Sequence, residues 1–301
     1  MQADHIVPDS ETRGLIAKLP GGARDLIQLA RFDRPIGAWL LFWPGAWAVA
    51  LAGQAAKRWD LLLLLALGSI AMRGAGCVYN DIVDRELDRQ VARTAARPIA
   101  SGRISLPIAW AWLGILCLAG LFVLLQLQPI AQVIALASLV LVAIYPFMKR
   151  ITWWPQAWLG LVFTWAALVG WAETTGGASI GPGLLLYAGA FFWVLGYDTI
   201  YALQDIEDDA LAGIKSSARA LGGRVRIGVA SFYLIALLLW GAALWSIRPQ
   251  SLGLVSLVPV AVHLAWQATG LDAETALPRF RSNRFAGLLM FLACLVVGAT
   301  A

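Results

Sequence analysis

Residues 61–88 read LLLLLALGSIAMRGAGCVYNDIVDRELD. The run opens with five leucines, stays apolar for about the 20 residues a bilayer crossing needs, and ends in acids. Asn80, Asp84 and Asp88 fall at steps of four, with Asp81 beside them, so on a helix they share one face. Carboxylates at the end of a membrane span are expensive, and a cluster of them signals function.

A second such segment, residues 198–209, closes another apolar run. Asp198, Tyr201, Asp205 and Asp209 are expected to form a similar column there. Two acidic columns facing each other would repel by roughly 2–3 kcal/mol per pair at ~6 Å and an effective dielectric near 20. A cation is needed to hold them together. Oxygen donors without nearby His or Cys favour a hard ion, Mg2+ before Zn2+. Mg2+ on two carboxylate sets keeps positions open for the oxygens of a phosphate or diphosphate. Asn80 offers a further neutral oxygen ligand.

Of the 301 residues, 60% are apolar and 14% charged, and the mean hydropathy is +0.72. These values exclude an ordinary soluble domain. Nine candidate spans lie near residues 35–53, 61–83, 106–126, 129–147, 154–172, 183–204, 225–247, 251–268 and 284–301. The third and fourth form a tight hairpin, and the ninth is the shortest. The expected fold is an all-α, multi-pass membrane protein of about nine transmembrane helices around a central cavity. With the N-terminus inside, the cytoplasmic segments hold nineteen basic residues, against Lys57, Arg58 and Arg248 outside, while Arg73 lies within the second span. That asymmetry fixes the orientation and places both acidic segments on the cytoplasmic side. The net charge of +5 is spread over five loops, and so reads as topology and anion handling rather than nucleic-acid binding.

No secretory signal is visible, and Asp4, Asp9 and Glu11 argue against a mitochondrial transit peptide. The expected location is a bacterial inner (cytoplasmic) membrane. Residues 1–25 form a cytoplasmic segment ahead of a single domain, 26–301, with a short interfacial amphipathic helix at 24–33. Cys77, Cys117 and Cys294 lie within spans without metal spacing and read as small core hydrophobes. Most of the 15 tryptophans read as interfacial anchors and lipid-facing mass. Gly37, Pro44, Gly74 and Gly76 read as packing and kink positions, and His263 as a satisfied polar residue.

Asp84 maps onto Asp205 and Asp88 onto Asp209 at a constant offset of 121 residues. The offset suggests two parallel four-helix pseudo-repeats plus one helix, with the acidic columns face to face. Arg73 lies seven residues before Asn80, about two turns deeper, where it either pairs with an acid or grips a substrate anion. Arg97, Lys215 and Arg150 lie near the cytoplasmic mouth, suited to diphosphate oxygens that a metal leaves uncovered. Tyr201 is placed to hydrogen-bond a diphosphate or stabilise a cation. Glu86, Arg85, Glu207 and Asp208 read equally well as solvated charge.

The pattern Asn-Asp-x-x-Asp-x-x-x-Asp at 80–88 and Asp-x-x-x-Asp at 205–209 resembles the two signature motifs of the UbiA superfamily of intramembrane prenyltransferases. Residues 33–37, 73–77, 93–98, 145–150, 196–202 and 213–216 resemble its 4-hydroxybenzoate polyprenyltransferase branch, from ubiquinone synthesis. The resemblance implies that Mg2+ held by Asp84, Asp88, Asp205 and Asp209 binds a polyprenyl diphosphate. The allylic cation is then attacked by 4-hydroxybenzoate ortho to its hydroxyl. It also implies an apolar groove open to the lipid bilayer. Arg73 is the expected partner of the benzoate carboxylate, with Arg150 and Arg34 as alternatives. Another branch, with a menaquinone, haem O or lipid acceptor, would need no such arginine. A cation-coupled transporter would instead place its acids near the midplane, in inverted repeats.

Overall fold

In the computed structural model the described residues are 16–91, 94–206, 213 and 215–299. Every regular element among them is helical. The elements are α1 (Gly21–Leu29), α2 (Ile36–Leu51), α3 (Trp59–Gln90), α4 (Leu106–Leu124), α5 (Pro129–Ile151), α6 (Pro155–Phe163), α7 (Ala166–Thr175), α8 (Ile180–Tyr201), α9 (Ser217–Leu221), α10 (Val225–Ile247), α11 (Ser251–Val255), α12 (Val258–Ala268) and α13 (Ala273–Gly298). Proline within the first two positions opens α4, α5, α6 and α12, where its missing N–H costs no helical bond.

Among the described residues, seven helical stretches are long and apolar enough to cross a membrane. The two remaining sequence candidates are shorter. α2 has 16 residues and carries Pro44 inside it. The 154–172 candidate is two helices, α6 and α7, because the chain changes to i→i+3 bonding at the break. There Trp165 N–H reaches Val162 O and Ala167 N–H reaches Thr164 O, while the Thr164 hydroxyl donates to Gly160 O at 2.8 Å. The last helix is the reverse case, since α13 begins at residue 273 rather than 284 and has 26 residues. Asp272 and Thr275 form a reciprocal capping box that starts it early. The amphipathic helix expected at 24–33 is α1, which ends at Leu29.

The chain divides into two compact units, residues 1–38 with 66–125, and residues 39–65 with 126–301. In the first, α1 packs on α3 and α4 around Leu29, Ala30, Val78, Ile82, Ile104, Ala109 and Leu116. Gly74 permits this approach, because a β-carbon there would press on the Phe32 ring and on Ala30. Gly76, by contrast, faces open space. Trp112 donates its indole N–H to Leu26 O at 3.2 Å.

In the second unit α8 is the central helix. Glycines let large aromatics sit against its backbone: Gly183 receives Trp171, Gly189 receives Trp240 and Gly196 receives Tyr233. Trp47, Trp193 and Trp240 are fully buried, with Trp47 5.1 Å and 5.3 Å from the other two rings. Their indoles donate to Gly287 O, Asn283 Oδ1 and Leu186 O. These three are core residues, not the anchors expected of most tryptophans; Trp39, Trp59, Trp110, Trp245 and Trp266 are exposed. His263 meets the Ser282 hydroxyl at 3.2 Å, as a satisfied polar residue should. Cys77 and Cys294 are buried but Cys117 is exposed on α4. It is therefore not the core hydrophobe expected.

Candidate functional site

The acidic segment at 80–88 is helical throughout and forms the last turns of α3. At ~1.5 Å per residue, Trp59 to Asn80 spans about 32 Å, the thickness of a hydrocarbon core. Asn80 and the exposed Trp59 thus lie about one hydrocarbon thickness apart along α3. Asp81, Asp84 and Asp88 are 1%, 0% and 4% exposed, while Asn80 is half-buried. Glu86 lies on the opposite, solvated face with Arg85 and Arg89, 3.1 Å and 3.0 Å away.

Two arginines enter this buried cluster. Arg31 Nη2 donates to both oxygens of Asp81, at 2.8 Å and 3.0 Å. Its Nη1 donates to the carbonyls of Gln28 and Leu29 at the end of α1. Burial alone would lower the Arg31 pKa, but the surrounding acidic groups together, Asp81 first among them, hold it above its usual range. Arg97 Nη1 donates to Asp81 Oδ1 at 3.2 Å and to Asp88 Oδ2 at 2.8 Å. The loop carrying Arg97 is fixed by the Thr94 hydroxyl, which donates to Asp88 O at 3.0 Å. Arg103 holds the same loop, donating to Ala96 O at 2.7 Å.

Three buried carboxylates thus gather with Arg31 and Arg97 at a helix C-terminus, where the macrodipole favours a cation. Carboxylate oxygen donors of this kind suit a hard dication. Among the described residues no three His, Cys, Asp or Glu side chains converge as a metal site.

Arg73 lies on α3, half-buried, and donates to Cys77 Sγ one turn on. It packs against the backbone of Gly37. Arg34 is 3.5 Å from the buried Asp33. In the other unit, Asp198 is half-buried on α8 and Tyr201 ends that helix, its ring 4.6 Å from Phe280. The expected helical column does not continue beyond Tyr201, because Ala202–Asp205 is a 3-10 turn. With three residues per turn, that segment leaves the i, i+4 face. The Asp205 side chain, Glu207, Asp208 and Asp209 lie outside the described residues. Lys215 donates to Ile151 O at 3.2 Å, and Arg150 is exposed beside it in sequence.

Arg31 carries no mark in the sequence beyond its charge. Its partner is fifty positions away, and no local spacing marks it.

Residues 41–295 match the family model described as "UbiA prenyltransferase family". A mitochondrial 4-hydroxybenzoate polyprenyltransferase of Aedes aegypti is 43% identical over 271 residues, covering 88% of this chain and 61% of that protein. The chain therefore spans less than two thirds of that relative's length. The enzyme of the same name from Rattus norvegicus is 41% identical over 286 residues, covering 92% and 76%. Among solved structures, an apo UbiA homolog from Aeropyrum pernix K1 superposes with a TM-score of 0.72 at 25% identity, covering 86% of this chain and 97% of that one. A UbiA homolog from Archaeoglobus fulgidus bound to GPP and Mg2+ shares the fold, with a TM-score of 0.65 at 18% identity, covering 92% and 100%.

Proposed function

This chain belongs to the UbiA prenyltransferase family, and we propose that it transfers a polyprenyl group from polyprenyl diphosphate to 4-hydroxybenzoate for ubiquinone synthesis. The new C–C bond forms ortho to the phenolic hydroxyl and diphosphate is released. The observation that carries the reading is the burial of Asp84 and Asp88 on the last turns of α3, with Arg97 on Asp88. The names of the relatives at about 40% identity support the acceptor.

Asn80, Asp84, Asp88, Asp205 and Asp209 would hold Mg2+, whose charge neutralises the departing diphosphate. Arg97, Lys215 and Arg150 supply further positive charge to the diphosphate. Asp198 and Asp81 set the electrostatics of the two acidic segments. Tyr201, at the end of α8, presents its ring and hydroxyl toward the developing allylic cation. Arg73, about 10 Å deeper than Asn80 on α3, pairs with the acceptor carboxylate, which could not otherwise be desolvated beside aspartates. Arg34 is the secondary candidate. Attack by the ring carbon and loss of its proton complete the substitution, so positioning and charge stabilisation carry most of the acceleration. The membrane supplies the tail with an apolar surrounding, and the N-terminus and both acidic segments lie on the cytoplasmic side.

The test is an acceptor panel. Membranes bearing the protein are given one labelled prenyl diphosphate with 4-hydroxybenzoate, a dihydroxynaphthoate, haem or a glycerol phosphate. Product from 4-hydroxybenzoate supports the reading, and product only from another acceptor moves the chain to a different branch.

A further inference from the structure

Arg31 is one of two non-glycine residues with positive φ among the described residues, at 60°. An L residue in that region costs of order 1 kcal/mol or more and persists where its surroundings hold it. Here the surroundings are a buried charge relay. The carbonyls of Gln28 and Leu29 receive one arm of the guanidinium and both Asp81 oxygens receive the other. Asp81 then accepts from Arg97 Nη1, and the same nitrogen reaches Asp88 Oδ2. The relay runs α1, Arg31, Asp81, Arg97, Asp88, and every link is 3.2 Å or shorter.

We infer that Arg31 is a positioning residue which, through Asp81, fixes Arg97 and so the carboxylate of Asp88 for its metal and diphosphate. Asp81 is accordingly a counter-ion hub. It accepts on both oxygens from Arg31 and on one from Arg97, so most of its acceptor sites and its charge are already engaged. An Asp81 without Arg31 would hold Arg97 by itself and draw it away from Asp88. The left-handed turn aims the side chain back along α1 toward α3, which an extended or right-handed residue at 31 would not do.

This inference rests on the metal-and-diphosphate reading, and its test separates the two. Glycine adopts positive φ without strain, so Arg31→Gly removes the side chain and keeps the turn. Mn2+ binding in the presence of pyrophosphate, read by EPR on the purified protein, needs no turnover. Arg31→Gly is expected to weaken it about tenfold, the usual scale for losing an outer partner of a ligand. It should raise the Mg2+ concentration for half-activity similarly, leaving the KM for 4-hydroxybenzoate within about twofold. Asp81→Asn should act alike, and Arg31→Gly/Asp81→Asn should be no worse than either alone, because both cut the same relay. Arg31→Lys keeps the charge without the fork and should fall between; it carries the cycle if the glycine variant does not fold. Unchanged Mn2+ binding in every Arg31 variant, or effects of the two sites that multiply, would overturn the inference. A wild-type protein that binds Mn2+ and pyrophosphate yet transfers no prenyl group defeats the reaction assignment and leaves the relay standing.

Discussion

Gly37 exists to make room for Arg73: a β-carbon at position 37 would overlap the guanidinium at Nε. The neighbour is part of a flexible side chain, so Gly37→Ala should move Arg73 rather than unfold the protein. Arg73→Ala should raise the KM for 4-hydroxybenzoate about tenfold to a hundredfold, the scale of a charge-assisted hydrogen bond of ~1.5–3 kcal/mol. Gly37→Ala should do the same in smaller measure, and Arg73→Lys should recover part. Steady-state kinetics with each substrate varied in turn decides this. A change in diphosphate KM alone would assign Arg73 to the leaving group.

Asn283 closes a buried polar network between α8 and α13, accepting from the Trp193 indole at 2.8 Å and donating to Gln267 Oε1 at 3.4 Å. Asn283→Ala orphans an indole N–H that water cannot reach, costing ~1–3 kcal/mol. A fall in unfolding temperature in detergent, with prenyl transfer intact at low temperature, is the expected result. An unchanged melt would show that the network adds nothing.

Much of this was legible in the sequence, and the exceptions have separate physical causes. Apolar runs marked the long spans because lipid leaves little choice of structure. The start of α13 was hidden because Arg279, Arg281 and Arg284 read as loop charge. In the fold Arg279 is buried, its Nη1 donating to Trp266 O and Gln267 O at 2.7 Å. Steps of four put Asp84 and Asp88 on one face because α3 is continuous through them. The same arithmetic failed after Tyr201, where the helix tightens to 3-10. Arg31 was invisible, since a left-handed turn and a partner fifty residues on leave no periodic trace.

Asp272 supplies a pH test of the capping box. The Thr275 backbone N–H, then its hydroxyl, holds the exposed Asp272 carboxyl below its ordinary pKa. A depressed carboxyl contributes stability at neutral pH that is lost as pH falls through the folded-state value, below about 4. Asp272→Ala should therefore melt earlier than wild type at pH 7, with the gap closing in acid. A gap constant down to pH 3 would mean the carboxylate charge plays no part.

Orientation is accessible through Lys57→Cys and Arg150→Cys, both at exposed positions. Cys117 is exposed on α4 and must first become serine to remove background, whereas Cys77 and Cys294 are buried. An impermeant maleimide should label position 57 from outside in sealed cells or spheroplasts, and position 150 only after permeabilisation. The reverse pattern would invert the topology and put the acidic segments on the wrong side.

The most direct measurement is prenyl transfer to labelled 4-hydroxybenzoate by the purified protein in lipid, first with EDTA and then with Mg2+ restored, beside Asp84→Asn. Turnover should vanish on chelation and return with Mg2+. In folded Asp84→Asn it should stay down about a hundredfold, or ~2.7 kcal/mol of barrier. Full turnover in EDTA, or in Asp84→Asn, would contradict a reaction built on metal-bound diphosphate at the end of α3.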